Sequence, residues 1–313
     1  MLLGPTASGK SQLAMAIASA RPGTEIVVAD SMQVYRGMDI GTAKPAVSDQ
    51  SAVRHHLIDL VEPGHDYTVS EFQNAYSAVI ADIEARGVRA LIVAGTGLYL
   101  RAITDGLIMA GQFPDVRAEL ELETDVGVLH ARLAALDPVA ASRMEPSNRR
   151  RIERALEVTL GAGRLFSSFG DGLTNYAPTS VQQIGIRFPR ERQADAVRDR
   201  VYAMVANGWL DEARALASSP VGRTAVQALG YRELFAHLRG ETSISDAIET
   251  TVIRTRQFAA RQVRWFRRDP RISWLEIGPE KNSLDLLDVA LRQYDSIEQS
   301  TDRNVMGSAN ARN

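Results

Sequence analysis

The first third of the chain alternates short apolar runs with amphipathic stretches. Four apolar runs predict strands, the last less clearly than the others: Met1–Leu3, Ile26–Ala29, Ala90–Val93 and Leu57–Val61. Helices are predicted at Ser11–Ser19, after the first strand, and at Glu71–Arg86, before the run at residue 90. This alternation is typical of a parallel sheet covered by helices.

The predicted helix at Glu71–Arg86 has clear boundary signals. Thr68 and Glu71 fit a capping box at its start, and Gly87 fits a stop at its end. Its apolar side chains recur at helical spacing on one face: Phe72, Tyr76, Val79, Ile80 and Ile83. We therefore expect an amphipathic helix with one buried face.

Between about residues 111 and 178 the strand-like runs vanish. Three helices are predicted in this part, separated by proline and glycine: Arg117–Glu123, Val128–Leu136 and Arg151–Leu160. The stretch at residues 161–178 is rich in Gly and Ser and is predicted to be a loop.

After this helical stretch the sequence again predicts a strand followed by helices. A strand is predicted at Gln183–Phe188, followed by helices at Arg192–Asn207 and Leu210–Ser218. We therefore predict an α/β fold with a parallel-sheet core. Residues 1–111 and 182–295 would form the core, residues 112–181 an inserted helical domain, and residues 296–313 a polar tail.

The composition changes this picture mainly by exclusion. The 313 residues include no cysteine, which excludes a disulfide framework, a thiolate zinc site and a cysteine nucleophile. No apolar run approaches the roughly 20 residues that span a bilayer, and no signal peptide is visible. We therefore expect a soluble, cytoplasmic protein without membrane association.

The net charge of −2 hides a strongly uneven charge distribution. One basic cluster comprises Arg149, Arg150, Arg151 and Arg154. Another comprises Arg254, Arg256, Arg261, Arg264, Arg267, Arg268 and Arg271. At helical spacing, Arg254, Arg261, Arg264 and Arg268 would line the outer face of one helix. Such a face is either a nucleic-acid footprint or, more commonly, only a solvated surface.

The clearest chemical motif lies at the start of the chain. Gly4-Pro-Thr-Ala-Ser-Gly-Lys-Ser11 fits the P-loop pattern G-x-x-x-x-G-K-[ST] between a strand and a helix. We expect all of its residues to bind a diphosphate or polyphosphate: Gly4, Pro5, Thr6, Ala7, Ser8, Gly9, Lys10 and Ser11. Lys10 would contact phosphate oxygens, and the Ser11 hydroxyl would ligate Mg²⁺. The core is then P-loop NTPase-like. The alternative is a glycine-rich turn without a ligand.

Asp30 is the candidate acid beside this motif. It ends the strand Ile26–Ala29, and ligands of open α/β sheets bind at the carboxyl ends of strands. Phosphoryl-transfer P-loop proteins usually carry a metal-binding Asp after an apolar strand, yet the run at Ala90–Val93 is followed by no acid. Asp30 is therefore either a catalytic carboxylate or the cap of a turn.

Several blocks of sequence resemble the tRNA dimethylallyltransferases, also called isopentenyl-diphosphate:tRNA transferases. The most specific block runs from Asp30 to Pro45, as Asp-Ser-Met-Gln-Val-Tyr-Arg-Gly-Met-Asp-Ile-Gly-Thr-Ala-Lys-Pro. The other matching blocks are the P-loop and residues 55–59, 95–99, 151–158, 230–233 and 261–267. All of the blocks occur along the chain in the family's order. The resemblance covers residues 1 to about 275.

The resemblance implies transfer of a dimethylallyl group from dimethylallyl diphosphate to the N6 amine of the adenosine 3′-adjacent to the tRNA anticodon. It implies Asp30 as proton acceptor, with Lys10, Thr96 and Arg117 also at the reaction site. It further implies Mg²⁺ as cofactor, the tRNA anticodon stem-loop as partner, and a monomer. The residues implied to contact tRNA are Asp30, Ser31, Met32, Gln33, Thr96, Arg117, Arg150, Arg151, Arg154, Gln227, Gly230, Tyr231, Arg232, Arg261, Gln262, Arg264 and Arg267.

One departure from the family pattern concerns the leaving diphosphate. An arginine that the family often carries in the helix after the Gln183–Phe188 strand falls at Ala196, so Arg198 or Arg200 would have to supply that contact. Three other functions stay open. They are prenylation of a free adenine nucleotide, a P-loop kinase, and a non-enzymatic RNA-binding module.

Overall fold

The computed structural model describes residues 1–170, 173, 175–278 and 281–296. The chain divides into two compact units. The first comprises Met1–Thr104 and the chain from Pro178 onward, and the second comprises Asp105–Ala177. The second unit begins and ends a few residues before the predicted insertion at 112–181. Most of the predicted tail lies outside the described residues.

A parallel sheet forms the centre of the first unit. Its strands are β1 (Leu2–Leu3), β2 (Thr24–Ala29), β3 (His55–His56), β4 (Arg89–Ala94), β5 (Gln183–Arg187) and β6 (Ile272–Glu276). They lie in the order β3-β2-β4-β1-β5-β6, and every neighbouring pair is parallel. The predicted parallel α/β core is therefore confirmed.

Helices follow the strands in the first unit and make up most of the second. They are α1 (Lys10–Ala20), α2 (Val47–Ala52), α3 (Val69–Ala85), α4 (Gly97–Asp105), α5 (Pro114–Glu121), α6 (Val126–Leu136), α7 (Pro138–Ser142), α8 (Arg149–Gly161), α9 (Arg190–Ala206), α10 (Trp209–Leu216), α11 (Arg223–Val226), α12 (Tyr231–Leu238) and α13 (Ile244–Phe266). Residues 287–296 are also helical. Short 3-10 helices occur at Phe166–Phe169, inside the predicted loop, and at Ser283–Leu286.

Side-chain alternation on the central strands builds a separate core on each face of the sheet. Leu2, Ile26, Val28, Leu91 and Val93 pack with α1 on one face. The neighbouring residues of the same strands pack with α3 and α4 on the other face. Because both faces are covered, the central strands are apolar over most of their length, as the sequence indicated.

The predicted boundaries of α3 are confirmed. Thr68 and Glu71 form the capping box, and Gly87 follows the helix with a φ of 63°. Phe72 and Ile83 are fully buried, and the other apolar residues of this face pack partly buried against the same cluster.

The strand predicted at Leu57–Val61 is wrong. β3 consists of the two preceding residues, His55 and His56, because Leu57 and Asp59 take positive φ values of 65° and 53° that no extended strand allows. Val61 makes only an isolated bridge with Tyr35. The edge strand β6 was not predicted at all.

The second unit has a hydrophobic core of its own. Its helices α5 to α8 enclose a cluster that includes Leu129, Leu133, Ile152 and Leu156, all of them almost fully buried. The helical character predicted for this part of the chain is confirmed, with α7 as an additional short helix.

Candidate active site

The P-loop connects the end of β1 to the start of α1. Ala7 and Gly9 have positive φ values of 58° and 79°, which turn the backbone sharply just before the N-terminus of α1. A Cβ on Gly9 would also lie 2.3 Å from the Ser283 hydroxyl oxygen, so glycine is required here for space as well as for backbone conformation. The predicted strand–loop–helix context of the motif is confirmed.

Lys10 and Asp30 come together across Gly95. A Cβ added to Gly95 would lie 3.3 Å from Oδ2 of Asp30 and 3.5 Å from Nζ of Lys10. The other Asp30 oxygen, Oδ1, accepts the backbone N–H of Met32 at 2.9 Å. The carboxylate is therefore fixed at the end of β2 with Oδ2 turned toward the P-loop lysine.

Arg200 is the second cation at this site, and sequence analysis left it as one of two candidates. The pKa of Lys10 is lowered to about 8, mainly by burial and also by the nearby charge of Arg200, while the charge of Asp30 acts in the opposite direction. Burial also lowers the pKa of Arg200, again opposed by Asp30. The other candidate, Arg198, is exposed and pairs with Asp195 and Asp199 on the far side of α9.

Two adjoining cavities open around these charges. One has a volume of about 590 Å³ and is lined by polar groups that include Asp30 and Gln33. The other has a volume of about 920 Å³ and is bounded by one face of α9, including Ala196. Lys10, Ser11 and Arg200 line both. Each volume is typical of a small-molecule site.

The loop after Asp30 is held by its neighbours. The Ser31 N–H donates to the Thr96 hydroxyl at 3.2 Å, and the Thr96 hydroxyl lies 3.4 Å from that of Ser31. Gln33 is buried and donates to the carbonyls of Thr42 and Ala43. Met32 is partly exposed. Thr96 and Gln33 thus shape the loop that carries Asp30.

Sequence analysis missed two charged residues that fix the loop at residues 35–45. The Lys44 ammonium is buried and binds the Tyr35 carbonyl, Asp39 and Asp59. The Glu212 carboxylate, from α10, accepts the backbone N–H groups of residues 39, 40 and 41. No periodicity marks these contacts, because the partners are backbone groups and carboxylates of irregular loops.

Helix α13 presents a basic face, as predicted. Arg261 and Arg264 on the helix are exposed, and so are Arg267 and Arg268, which directly follow its last residue and are counted with this face below. Arg254, expected on the same face, instead forms an ion pair with the buried carboxylate of Glu233. Charge neutralisation of a buried acid is therefore the role that the structure gives Arg254.

The other residues of the first unit that the resemblance implies to contact tRNA are partly exposed and partly buried. Gln227 and Arg232 are exposed. Gly230 and Tyr231 are buried, and the Tyr231 hydroxyl donates to Glu212 at 2.5 Å. Gln262 is also buried, and its amide bonds the backbone of Thr6 and Gly95. The side chains of Tyr231 and Gln262 therefore have protein partners where the sequence indicated RNA.

The second unit holds the remaining predicted arginines. Arg117 pairs with Glu153 at 2.9 Å, and Arg154 pairs with Glu157 at 2.7 Å. Both carboxylates are almost completely buried. Arg150 and Arg151 lie exposed at the start of α8.

The described residues contain no group of three or more His, Asp and Glu side chains arranged to hold a metal ion. His55 and His56, adjacent in sequence, contact the Val53 carbonyl and Glu25 respectively. Ser11, beside Lys10 in the sequence, is exposed, and its hydroxyl is an oxygen ligand of the kind that a divalent cation accepts. No helix in the described part of the chain is long and apolar enough to cross a bilayer.

Comparison with known proteins agrees with this geometry. The family model for IPP transferase matches residues 33–269. A protein named tRNA dimethylallyltransferase from Geobacter metallireducens is 48% identical over 289 residues, covering 90% of this chain and 93% of the relative. Another of that name, from Kineococcus radiotolerans, is 43% identical over 302 residues, covering 93% of each.

Solved structures give the same result for the fold. The full-length tRNA isopentenylpyrophosphate transferase of Bacillus halodurans superposes with a TM-score of 0.71 at 33% identity, covering 97% of each chain. A eukaryotic dimethylallyltransferase acting on tRNA gives a TM-score of 0.77 at 25% identity, covering 97% of this chain and 79% of that one. The P-loop, the carboxylate beside it and these matches over most of the sequence agree, and the chain belongs to the IPP transferase family.

Proposed function

We propose that this chain transfers the dimethylallyl group of dimethylallyl diphosphate to the N6 amine of the adenosine 3′-adjacent to a tRNA anticodon, releasing diphosphate. The observation that carries the proposal is the meeting of Lys10 and Asp30 across Gly95. The Lys10 ammonium suits the leaving diphosphate, and the Asp30 carboxylate suits the amine that attacks. The names of the relatives and the family of the chain support the same reaction.

The donor diphosphate would lie on the P-loop, residues Gly4 to Ser11. Lys10 and Arg200 would stabilise the negative charge that develops as the bond between the allylic carbon and the diphosphate oxygen breaks. Mg²⁺, held by Ser11 and the diphosphate, would add positive charge at the same oxygens. Because an allylic carbon tolerates positive charge, the reaction needs no strong nucleophile.

The acceptor amine would lie next to Asp30. An exocyclic adenine amine is a poor nucleophile and must lose a proton as its nitrogen bonds to the allylic carbon. Oδ2 of Asp30 would accept that proton while Oδ1 stays bound to the Met32 N–H. Thr96 and Ser31 would keep this carboxylate oriented. The base would have to leave its stack in the anticodon loop to reach the carboxylate.

The exposed arginines of α13 would bind the tRNA backbone, as would Arg232 and, in the second unit, Arg150 and Arg151. Phosphate contacts of this kind position an RNA without reading its sequence. We further propose that the protein acts in the cytoplasm, where its tRNA substrate is found, and that it acts as a monomer.

The principal alternative is prenylation of a free adenine nucleotide, which would need the P-loop and Asp30 but not the basic face of α13. A kinase is disfavoured because β4 ends at Ala94 and is followed by Gly95 and Thr96 rather than by a carboxylate. Mixing the protein and Mg²⁺ with radiolabelled dimethylallyl diphosphate and either tRNA, AMP or ATP separates these functions. We expect label in tRNA alone. Label in AMP or ATP would establish the alternative, and label in none would reject prenyl transfer.

The lowered pKa of Lys10 predicts how the binding of dimethylallyl diphosphate depends on pH. Its pKa in the donor-free protein is lowered to about 8, so the ammonium loses its proton, and with it the attraction for diphosphate, as the pH rises through that value. We expect kcat/KM for dimethylallyl diphosphate to fall above pH 8, since this ratio reports the free enzyme. In Lys10→Arg the charge persists, and the fall should disappear. An identical fall in both proteins would assign the titration to another group.

Asp30→Asn tests the proton acceptor. The amide oxygen can still accept the Met32 N–H, so the loop should keep its shape, while the basic oxygen is lost. We expect kcat to fall by roughly 10²–10⁴-fold with little change in tRNA affinity. Unchanged kcat together with weaker tRNA binding would make Asp30 a binding residue only.

The basic face of α13 is tested by changing Arg261, Arg264 and Arg268 together to Ala. Each lost phosphate contact should flatten the slope of log K against log salt by roughly 0.7 to 0.9, and tRNA binding should weaken accordingly. Dimethylallyl diphosphate binding should persist, because the P-loop backbone is unaltered.

A matched control for this variant removes three exposed, acid-paired arginines of the same unit, Arg198, Arg214 and Arg239. It changes the net charge equally, so any effect of total charge appears in both. If the two triple variants bind tRNA equally well, the face of α13 is only solvated and the RNA is bound elsewhere.

A further inference from the structure

Gln262 is a polar residue on the buried face of α13, between Ala259 and Phe266. Only 6% of its surface is exposed. The exposed arginines lie around the helix from it. A buried side-chain amide needs hydrogen-bond partners for both its oxygen and its NH₂ group, and these partners indicate the role of the residue.

Both ends of the Gln262 amide bind backbone groups of the active site. Oε1 accepts the Thr6 N–H at 2.8 Å, at the entrance of the P-loop. Nε2 donates to the Gly95 carbonyl at 2.6 Å, directly after β4. One side chain thus joins the loop that carries Lys10 to the residue across which Lys10 meets Asp30.

A second glutamine completes this attachment. Nε2 of Gln193, from α9, donates to the Thr6 carbonyl. The N–H and the C=O of Thr6 are therefore both bound by side chains, one from each of two helices. Because the Thr6 N–H is bound to Gln262, the phosphate-binding N–H groups begin beyond it, where Ala7 and Gly9 turn the chain.

We propose that Gln262 is a positioning residue that holds the P-loop in register with Asp30, and that the helix proposed to bind tRNA thereby also sets the geometry of the donor site. This inference rests on the proposed function. It gives the buried face of α13 a different task from the exposed face, since Arg261 and Arg264 face solvent while Gln262 holds Thr6 and Gly95. A displacement of about 1 Å between reacting groups costs on the order of 10²-fold in rate, so a loosened loop should affect turnover more than binding.

Gln262→Met tests the proposal, because methionine keeps the length of the side chain and loses both hydrogen bonds. We expect kcat to fall about 10- to 100-fold, with the tRNA dissociation constant and its salt slope unchanged. Gln257→Met, at an exposed position of the same helix, is the matched control and should behave as wild type. Circular dichroism and thermal unfolding of each variant establish the fraction folded at the assay temperature.

Gln262→Glu supplies a readout that simple destabilisation would not give. A carboxylate can accept the Thr6 N–H but repels the Gly95 carbonyl, whereas a protonated carboxyl can donate to that carbonyl. The kcat of this variant, divided by that of wild type, should therefore rise as the pH is lowered.

Three results would overturn the proposal. The first is a Gln262→Met variant that binds tRNA more weakly at unchanged kcat. The second is a Gln262→Met variant that is less stable but has an unchanged kcat per folded molecule. The third is a Gln262→Glu variant whose kcat relative to wild type does not change with pH. Wild-type transfer to tRNA is measured in the same experiment. An inactive wild type rejects the proposed function, whereas an active wild type matched by Gln262→Met rejects only the role of Gln262.

Discussion

The candidate active site depends on a cation and a carboxylate that lie close together at one edge of the sheet and still keep separate chemical roles. Lys10 begins a helix after β1, and Asp30 follows β2, with β4 between those two strands. Gly95 follows β4, and its lack of a side chain lets the two charged groups approach from either side. Parallel strands place all three positions at the same carboxyl edge, so the topology alone brings them together.

The sequence sufficed for the features that follow from short-range pattern. The P-loop, the capped helix α3 and the apolar central strands are each specified by neighbouring residues, and all were predicted. Asp30 was identified because it ends such a strand. The edge strand β6 was missed because its sequence, Ile-Ser-Trp-Leu-Glu, has too short an apolar pattern to be distinguished from a loop. The wrong strand at Leu57–Val61 was an apolar run whose backbone turns at two left-handed residues.

Long-range polar contacts could not be predicted in this way. Gln262 and Gln193 are separated from Thr6 by most of the chain, and a glutamine on a helix gives no signal of a backbone partner elsewhere. Arg254 shows the opposite error, since helical spacing placed it among the exposed arginines although it neutralises the buried Glu233. Periodicity gives the direction in which a side chain points, but its partner depends on which elements the fold packs together.

Electrostatics also bears on how the site would bind its donor. Arg200 lies close enough for its charge to lower the pKa of Lys10, and burial weakens the hydration of both cations. The charge of Asp30 opposes this lowering of the Lys10 pKa. A bound diphosphate would offset the repulsion between Arg200 and Lys10 with its own negative charge, so the two cations together would favour its binding at this edge of the sheet.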